Sequence, residues 1–276
     1  MKLRKVTAAS AVVLALAVSV TACGGDKKDD AAGGNKIKIG IKFDQPGLGL
    51  KQPDGSFSGF DVDVATYVAK QLGYQPNQIE WVETKSADRE NALQRGDVKF
   101  IAATYSITDE RKQKVDFAGP YLLAHQDLLV KKGSDITKGT DLNSKKLCSV
   151  TGSTSAQNVQ KTIAPKANLR PLSGYSECVA GLQSGAVDAL TTDDSILAGF
   201  AAQDKYKGQF QLAGLKLSNE NYGIGVKKGD SATVDKINKA LEKMVSDKSW
   251  DKAVEKNFGP AGYKNEPAPK IGDIVK

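Results

Sequence analysis

The sequence predicts an α/β protein made of two related lobes with a ligand cleft between them. Two observations carry that prediction. From Lys36 onward, short strand-like apolar runs alternate with helical periodicities, the pattern of a largely parallel sheet covered by helices. In addition, two segments recur. Leu93-Gln94-Arg95-Gly96-Asp97-Val98 returns as Leu182-Gln183-Ser184-Gly185-Ala186-Val187, and Val130-Lys131-Lys132-Gly133-Ser134 returns as Val226-Lys227-Lys228-Gly229-Asp230. Short echoes arise by chance. Two of them at similar offsets, 89 and 96 residues, make a pair of similar lobes the economical reading.

Each element has its own local reason. Ile37-Lys38-Ile39-Gly40-Ile41 alternates apolar and polar, as a half-buried strand does. Asp44 to Gly55 is rich in Gly and Pro and reads as loop and turn. Val64, Ala65, Val68, Ala69 and Leu72 fall at helical spacing within 61–72, and Gly73 ends the run. Ile79 to Val82 is a short strand, and Ser86 is a candidate N-cap for a helix that Gly96 closes. Phe100 to Ala103 is a short buried strand, after which Thr108 can cap the next helix. Counting equally from each echoed leucine, one strand ends at Thr104 and its counterpart at Asp193. Open α/β sheets bind ligands beyond the carboxyl ends of their strands, so Thr104 and Asp193 are expected to face each other across the cleft.

Composition narrows the function classes. The chain has 276 residues and a formal charge of +7, with one His and three Cys. A single histidine and the absence of any Cys/His zinc spacing argue against a metal centre. Gly152-Ser153-Thr154-Ser155 lacks the lysine of a phosphate-binding loop. The lysines between Lys236 and Lys256 alternate with Glu242, Asp247, Asp251 and Glu255, while Ile237, Leu241, Met244 and Val245 face inward. That is a solvated helical surface, not a nucleic-acid contact. Asp61 and Asp63 lie in a first helical turn, where the dipole favours acids, and read as structural.

The N-terminus belongs to targeting. Lys2, Arg4 and Lys5 precede the apolar run Ala8 to Val20, which is too short to span a membrane comfortably. Val20-Thr21-Ala22-Cys23 resembles the lipobox of bacterial lipoprotein signals; an ordinary signal peptide with an incidental cysteine is the weaker alternative. Residues 1–22 are thus expected to be removed, leaving a charge of +4 and a lipid on Cys23. Residues 23–35 read as a flexible tether. In an exported protein the two remaining cysteines, Cys148 and Cys178, are expected to form a disulfide rather than two buried thiols.

Gly59-Phe60-Asp61-Val62-Asp63-Val64, with Val68-Ala69 and Leu72 after it, resembles the signature of the polar amino-acid-binding proteins of ABC importers, solute-binding family 3. Arg89, Leu93 to Gly96, Thr104 to Arg111, Thr151 to Thr154, Val187 to Asp193 and Tyr222 to Val226 resemble further family segments in order. The likeness is nearest to glutamate-binding lipoproteins of actinobacterial uptake systems. Asp44 to Leu50, Ala102 to Ile107, Gly119 to Leu123, Leu147 to Val150 and Ser176 to Cys178 carry it. The resemblance implies a type II periplasmic-binding-protein fold, two lobes joined by two crossover strands and closing like a hinge. It places lobe 1 at 36–123 and 221–262, lobe 2 at 124–220, and a C-terminal tail at 263–276.

The resemblance also implies a site. Arg111, just after the Thr108 cap, is expected to hold the ligand α-carboxylate, helped by a helix N-terminus. Without the motif, an exposed Arg111 paired with Asp109 or Glu110 is the simpler reading. Asp193 is expected to accept the ammonium; the alternative is a loop Asp capping the following helix, a job Asp194 could equally do. Thr104, Ser106 and Thr154 would supply hydroxyls, and each also suits a turn or cap. Lys42 and Arg89 align with positions that bind an acidic side chain, and Ser86 aligns with another site position. Three cations against one aspartate suit glutamate first and aspartate next.

The expected function is that of a lipid-anchored, non-enzymatic monomer. It would take glutamate from outside the cell to an ABC permease, without catalytic residues, cofactor, metal or nucleic acid. The alternatives are an extracytoplasmic lyase or dehydratase on the same fold and a ligand-sensing module of a membrane receptor. His125 lacks a sequence partner for catalysis and is assigned no role.

Overall fold

β1 (Ile37–Ile41) buries Ile37, Ile39 and Ile41 and exposes Lys38, as its alternation predicts. The computed structural model describes residues 36–275; the predicted signal, Cys23 and the tether lie outside the described residues. After β1 come β2 (Asp44–Gln45), β3 (Gly49–Lys51), β4 (Phe57–Ser58), α1 (Phe60–Gln71), β5 (Ile79–Glu83), α2 (Arg89–Arg95), β6 (Phe100–Ile101) and α3 (Asp109–Lys112). The 17-residue β7 (Val115–Lys131) leads to β8 (Lys146–Val150), α4 (Thr154–Asn158), β9 (Asn168–Leu172), α5 (Tyr175–Ser184), β10 (Ala189–Asp193) and α6 (Asp194–Ala201). β11 (Phe210–Leu212), β12 (Asn219–Lys227), α7 (Ser231–Ser246) and α8 (Ser249–Phe258) follow.

Nine strands pair in the order β5-β1-β6-β12-β7-β10-β8-β9, with β11 against β7. The sheet is parallel at its two ends, where β1 joins β5 and β6 and where β8 joins β9 and β10. Its middle is antiparallel, which corrects the expectation of a largely parallel sheet. The reason is β7. Its first part pairs with β12 from Val115 to His125, and its last part pairs with β10 from Gln126 to Val130. One continuous strand therefore belongs to both strand groups, and β12 returns alongside it.

Two further expectations need correction. Residues 44–55 are not only loop: β2 and β3 lie within them and form a separate antiparallel sheet with β4. These strands are two or three residues long, too short for periodicity to reveal. The strand expected over 100–103 ends at Ile101, and Thr104 lies beyond it at φ 47°, in the left-handed region.

Phe60, Val64 and Val68 of α1 pack in one core with Leu241 and Met244 of α7 and Trp250 and Phe258 of α8. The lysine-rich stretch is thus two helices, separated at Lys248 (φ 66°). Val245 is only half-buried. Leu128, Val130, Leu142, Leu147, Val159 and Ala189 make a second cluster under β8 and β10. A disulfide joins Cys148 on β8 to Cys178 on α5. The tail after Gly262 is fastened to the paired long strands. Gly272 N–H donates to Gly119 O at 2.9 Å, and Asn221 exchanges two hydrogen bonds with the Val275 backbone at 2.8 and 3.1 Å. No described helix is long and apolar enough to cross a membrane.

Candidate functional site

The geometry begins at Thr104. Asp61, fully buried in the first turn of α1, accepts the Thr104 N–H at 2.9 Å and the Tyr121 hydroxyl at 2.6 Å. Burial outweighs those bonds and raises its pKa to about 6. Asp63 holds Lys256 and Asn257. Both signature acids are occupied with structure.

Arg89 opens α2 and is buried. Its Nη1 donates to Ala103 O at 2.9 Å, and its guanidinium lies 4.0 Å from the centre of the Tyr105 ring. Burial and then the neighbouring Arg111 lower its pKa to about 10. Its Nε has no hydrogen-bond partner. A buried guanidinium with a free donor is costly unless an acceptor arrives.

Arg111 is held by the cap its sequence suggests: Thr108 Oγ1 accepts the Arg111 N–H at 3.2 Å. Its guanidinium donates to Ser106 O at 2.8 Å and Gly152 O at 3.1 Å, and Nε lies 3.6 Å from Glu90. The exposed pairing with Asp109 or Glu110 is not found: those acids pair with Lys112 and Lys161.

Ser86 is not an N-cap. The helix starts three residues later, with Asp88 at the N-cap position. Ser86 instead accepts a hydrogen bond from Lys42 Nζ at 2.9 Å, across 44 residues of sequence. Lys42 follows β1 directly and is 4% exposed. Burial and then Arg89 pull its pKa down to about 7.

From the other strand group, Asp193 ends β10. It is buried and accepts the Tyr222 hydroxyl at 2.5 Å and the Ser155 hydroxyl at 3.3 Å. Burial and then Glu220 push its pKa well up. Asp193 makes no cap hydrogen bond on α6; Asp194 accepts the N–H groups of Ser195 and His125 at 2.8 and 3.0 Å. Thr154 donates its hydroxyl to Glu220 at 3.0 Å, and the Ser153 side chain caps α4.

These residues converge on one cleft that is almost shut, with about 10 Å³ of open space. Ser86, Arg89, Thr104, Ser106, Arg111, Thr154 and Asp193 line it, and Lys42 stands behind Ser86. Ser153, Tyr175 and Ile196 also line it and were not expected from the sequence. Tyr175 follows the end of β9 by three residues, so the rule of carboxyl strand ends could have found it. Larger surface hollows, about 440 Å³ beside Tyr263 and about 380 Å³ beside Trp250, hold no buried cation among their lining residues. No group of His, Cys, Asp and Glu among the described residues could hold a metal ion.

Residues 37–260 match the profile of the bacterial extracellular solute-binding proteins, family 3. The chain belongs to that family. This solute-binding protein is 46% identical over 271 residues to the glutamate-binding protein GluB of Corynebacterium efficiens, covering 93% of this chain and 91% of that one. It is 39% identical over 269 residues to the ABC transporter glutamine-binding protein GlnH of Bacillus subtilis, covering 92% and 97%. Among solved structures, an ancestral arginine-binding protein bound to arginine matches with a TM-score of 0.76 at 38% identity, covering 82% of this chain and 99% of that one. The solute-binding protein therefore has the type II periplasmic-binding-protein fold, and its place is outside the cytoplasm.

Proposed function

We propose that this protein captures L-glutamate for an ABC importer, with aspartate as the next-best ligand. One observation carries the choice among amino acids: two buried guanidinium groups, Arg89 and Arg111, share a cavity in which Asp193 is the lining carboxylate. A zwitterion with a second carboxylate answers that charge pattern. Leaving any of these groups unmatched would be expensive in a desolvated site. Arg111 holds the α-carboxylate and Asp193 the ammonium. Arg89 takes the side-chain carboxylate, with Lys42 acting through Ser86. Thr104, Ser106 and Thr154 complete the hydrogen bonds. GluB carries glutamate in its name, and GlnH glutamine, which supports a ligand of this size.

We place the hinge in β7 and β12, dividing lobe 1 (36–123 and 221–262) from lobe 2 (124–220). The closed, loaded form is the one handed to the permease. The lipobox-like run ending at Cys23 supports a lipid anchor on the outer face of the membrane, carried by a monomer.

The test is calorimetry of the purified chain against L-glutamate, L-aspartate, L-glutamine and L-arginine. Glutamate is expected to bind most tightly, with no turnover of any of the four. At one fixed concentration of each amino acid the added stability grows with affinity, reaching about 2.7 kcal/mol where that concentration is 100 times the dissociation constant, so thermal shifts give the same ranking. Tighter binding of glutamine or arginine would sink the glutamate assignment.

A further inference from the structure

Helix α5 begins at Tyr175, and its N-cap is Gly174, which has no side chain to accept a hydrogen bond. The acceptor comes from far away in sequence. Asp44, on β2, takes both the Ser176 N–H and the Ser176 hydroxyl on one carboxylate oxygen, each at 3.2 Å. A Cβ at residue 174 would lie 2.7 Å from that same oxygen, so the missing side chain is what admits the carboxylate. The neighbouring rim is equally tight. A Cβ on Gly199 of α6 would lie 2.0 Å from the carbonyl oxygen of Pro46, two residues after Asp44.

The two partners belong to different strand groups. β2 sits in the small sheet that follows β1, whereas α5 is bound to β8 by the Cys148–Cys178 disulfide. With the lobe division proposed above, the cap runs from lobe 1 to lobe 2. Tyr175, the residue just before Ser176, lines the ligand cavity.

We infer that Asp44 is a closure latch: a positioning residue that caps α5 in trans once the lobes shut, and so fixes Tyr175 against the ligand. The inference rests on the reading of this protein as a hinge-closing binder. With the lobes apart, water satisfies both Asp44 and the first N–H groups of α5. On closure each finds the other, and an acid at a helix N-terminus stabilises the shut form. The contact forms after the ligand has entered. It therefore slows exit and leaves entry nearly untouched.

The test is stopped-flow binding of L-glutamate to the full chain and to three variants. Asp44→Ala is expected to raise koff about three- to thirtyfold, the range set by loss of an N-cap. Its kon should stay within about twofold of the unaltered chain. Asp44→Asn keeps a capping oxygen and should remain within about threefold for both rates. Gly199→Ala, placed on the same rim, should also raise koff. Hydrogen exchange at the Ser176 amide should slow on glutamate addition in the unaltered chain and in Asp44→Asn, but not in Asp44→Ala. An unchanged koff in Asp44→Ala, or a loss confined to kon, overturns the latch. If the unaltered chain prefers a different amino acid, the glutamate reading fails, and the same comparison with that amino acid decides the latch. A chain that binds none of the common amino acids overturns both.

Discussion

The guanidinium of Arg89 lies 4.0 Å from the centre of the Tyr105 ring, with its Nη1 on the carbonyl of Ala103 at 2.9 Å. That pose spends part of the side chain on structure and leaves Nε free to meet an acceptor. Arg89→Ala is therefore expected to act in two ways. Glutamate binding weakens by about 2–5 kcal/mol, the cost of truncating one partner of a desolvated charge pair. Folding stability falls by about 1–3 kcal/mol, because a buried carbonyl loses its donor. Calorimetry and urea unfolding separate the two. A variant with unchanged glutamate affinity would remove Arg89 from the site.

Asp193 is the group we propose for the ligand ammonium. Asp193→Asn should cost at least about 2 kcal/mol in binding of L-glutamate, since the ammonium loses its anion. Glutarate, which has both carboxylates and no ammonium, leaves Asp193 unmatched and should bind Asp193→Asn at least as tightly as the unaltered chain. A glutarate affinity that fell in parallel with glutamate would show that Asp193 acts on the shape of the cavity and not on the ammonium.

Lys42 makes stability depend on pH. Its folded pKa is about 7 and its ordinary value is 10.5. Between those values the unfolded chain holds a proton that the folded chain has released. Stability contributed by this group therefore rises with pH across that window, by about 1.4 kcal/mol per pH unit at most, and is lost as pH falls through 7. Urea unfolding at pH 7, 8 and 9 should show the unaltered chain gaining on Lys42→Met at each step. Parallel profiles would mean that Lys42 is protonated in the folded chain throughout.

The Cys148–Cys178 bridge closes a loop with a sequence separation of 30 residues. Removing it in a Cys148→Ala/Cys178→Ala variant should lower stability by about 3–4 kcal/mol in the chain-entropy treatment. Guanidinium unfolding measures this directly. A loss under about 1 kcal/mol would show that packing of Val179 and Leu182 holds α5 on β8 without help.

The parts of this fold that could be read from the sequence are those with a local cause. The alternation of β1, the helical spacing of α1 and the Thr108 cap that positions Arg111 are each complete within about twelve residues. So is the end of β10 at Asp193. What the sequence hides is pairing over distance. Ser86 suits an N-cap in isolation, and only the fold reveals Lys42 beside it. Thr154 faces Glu220 from 66 residues away, and Arg111 takes Glu90 in place of its own neighbours. The small sheet of β2, β3 and β4 escapes because two- and three-residue strands have no measurable period. Tyr175 escapes because an aromatic at a helix start is ordinarily core.

Asn221 holds the backbone of Val275 by two hydrogen bonds, and Asn221 itself sits on β12 opposite Leu123 of β7. A fluorescent protein or affinity tag appended after Val275 would thus be attached to the strands in which we place the hinge. For a glutamate biosensor this is a poor handle: a reporter at a pivot is displaced least, and its bulk would strain the joint. Signal should be sought far from that axis, for instance from a dye at exposed Asp204 or Lys205, in the turn that buried Tyr206 holds to the core.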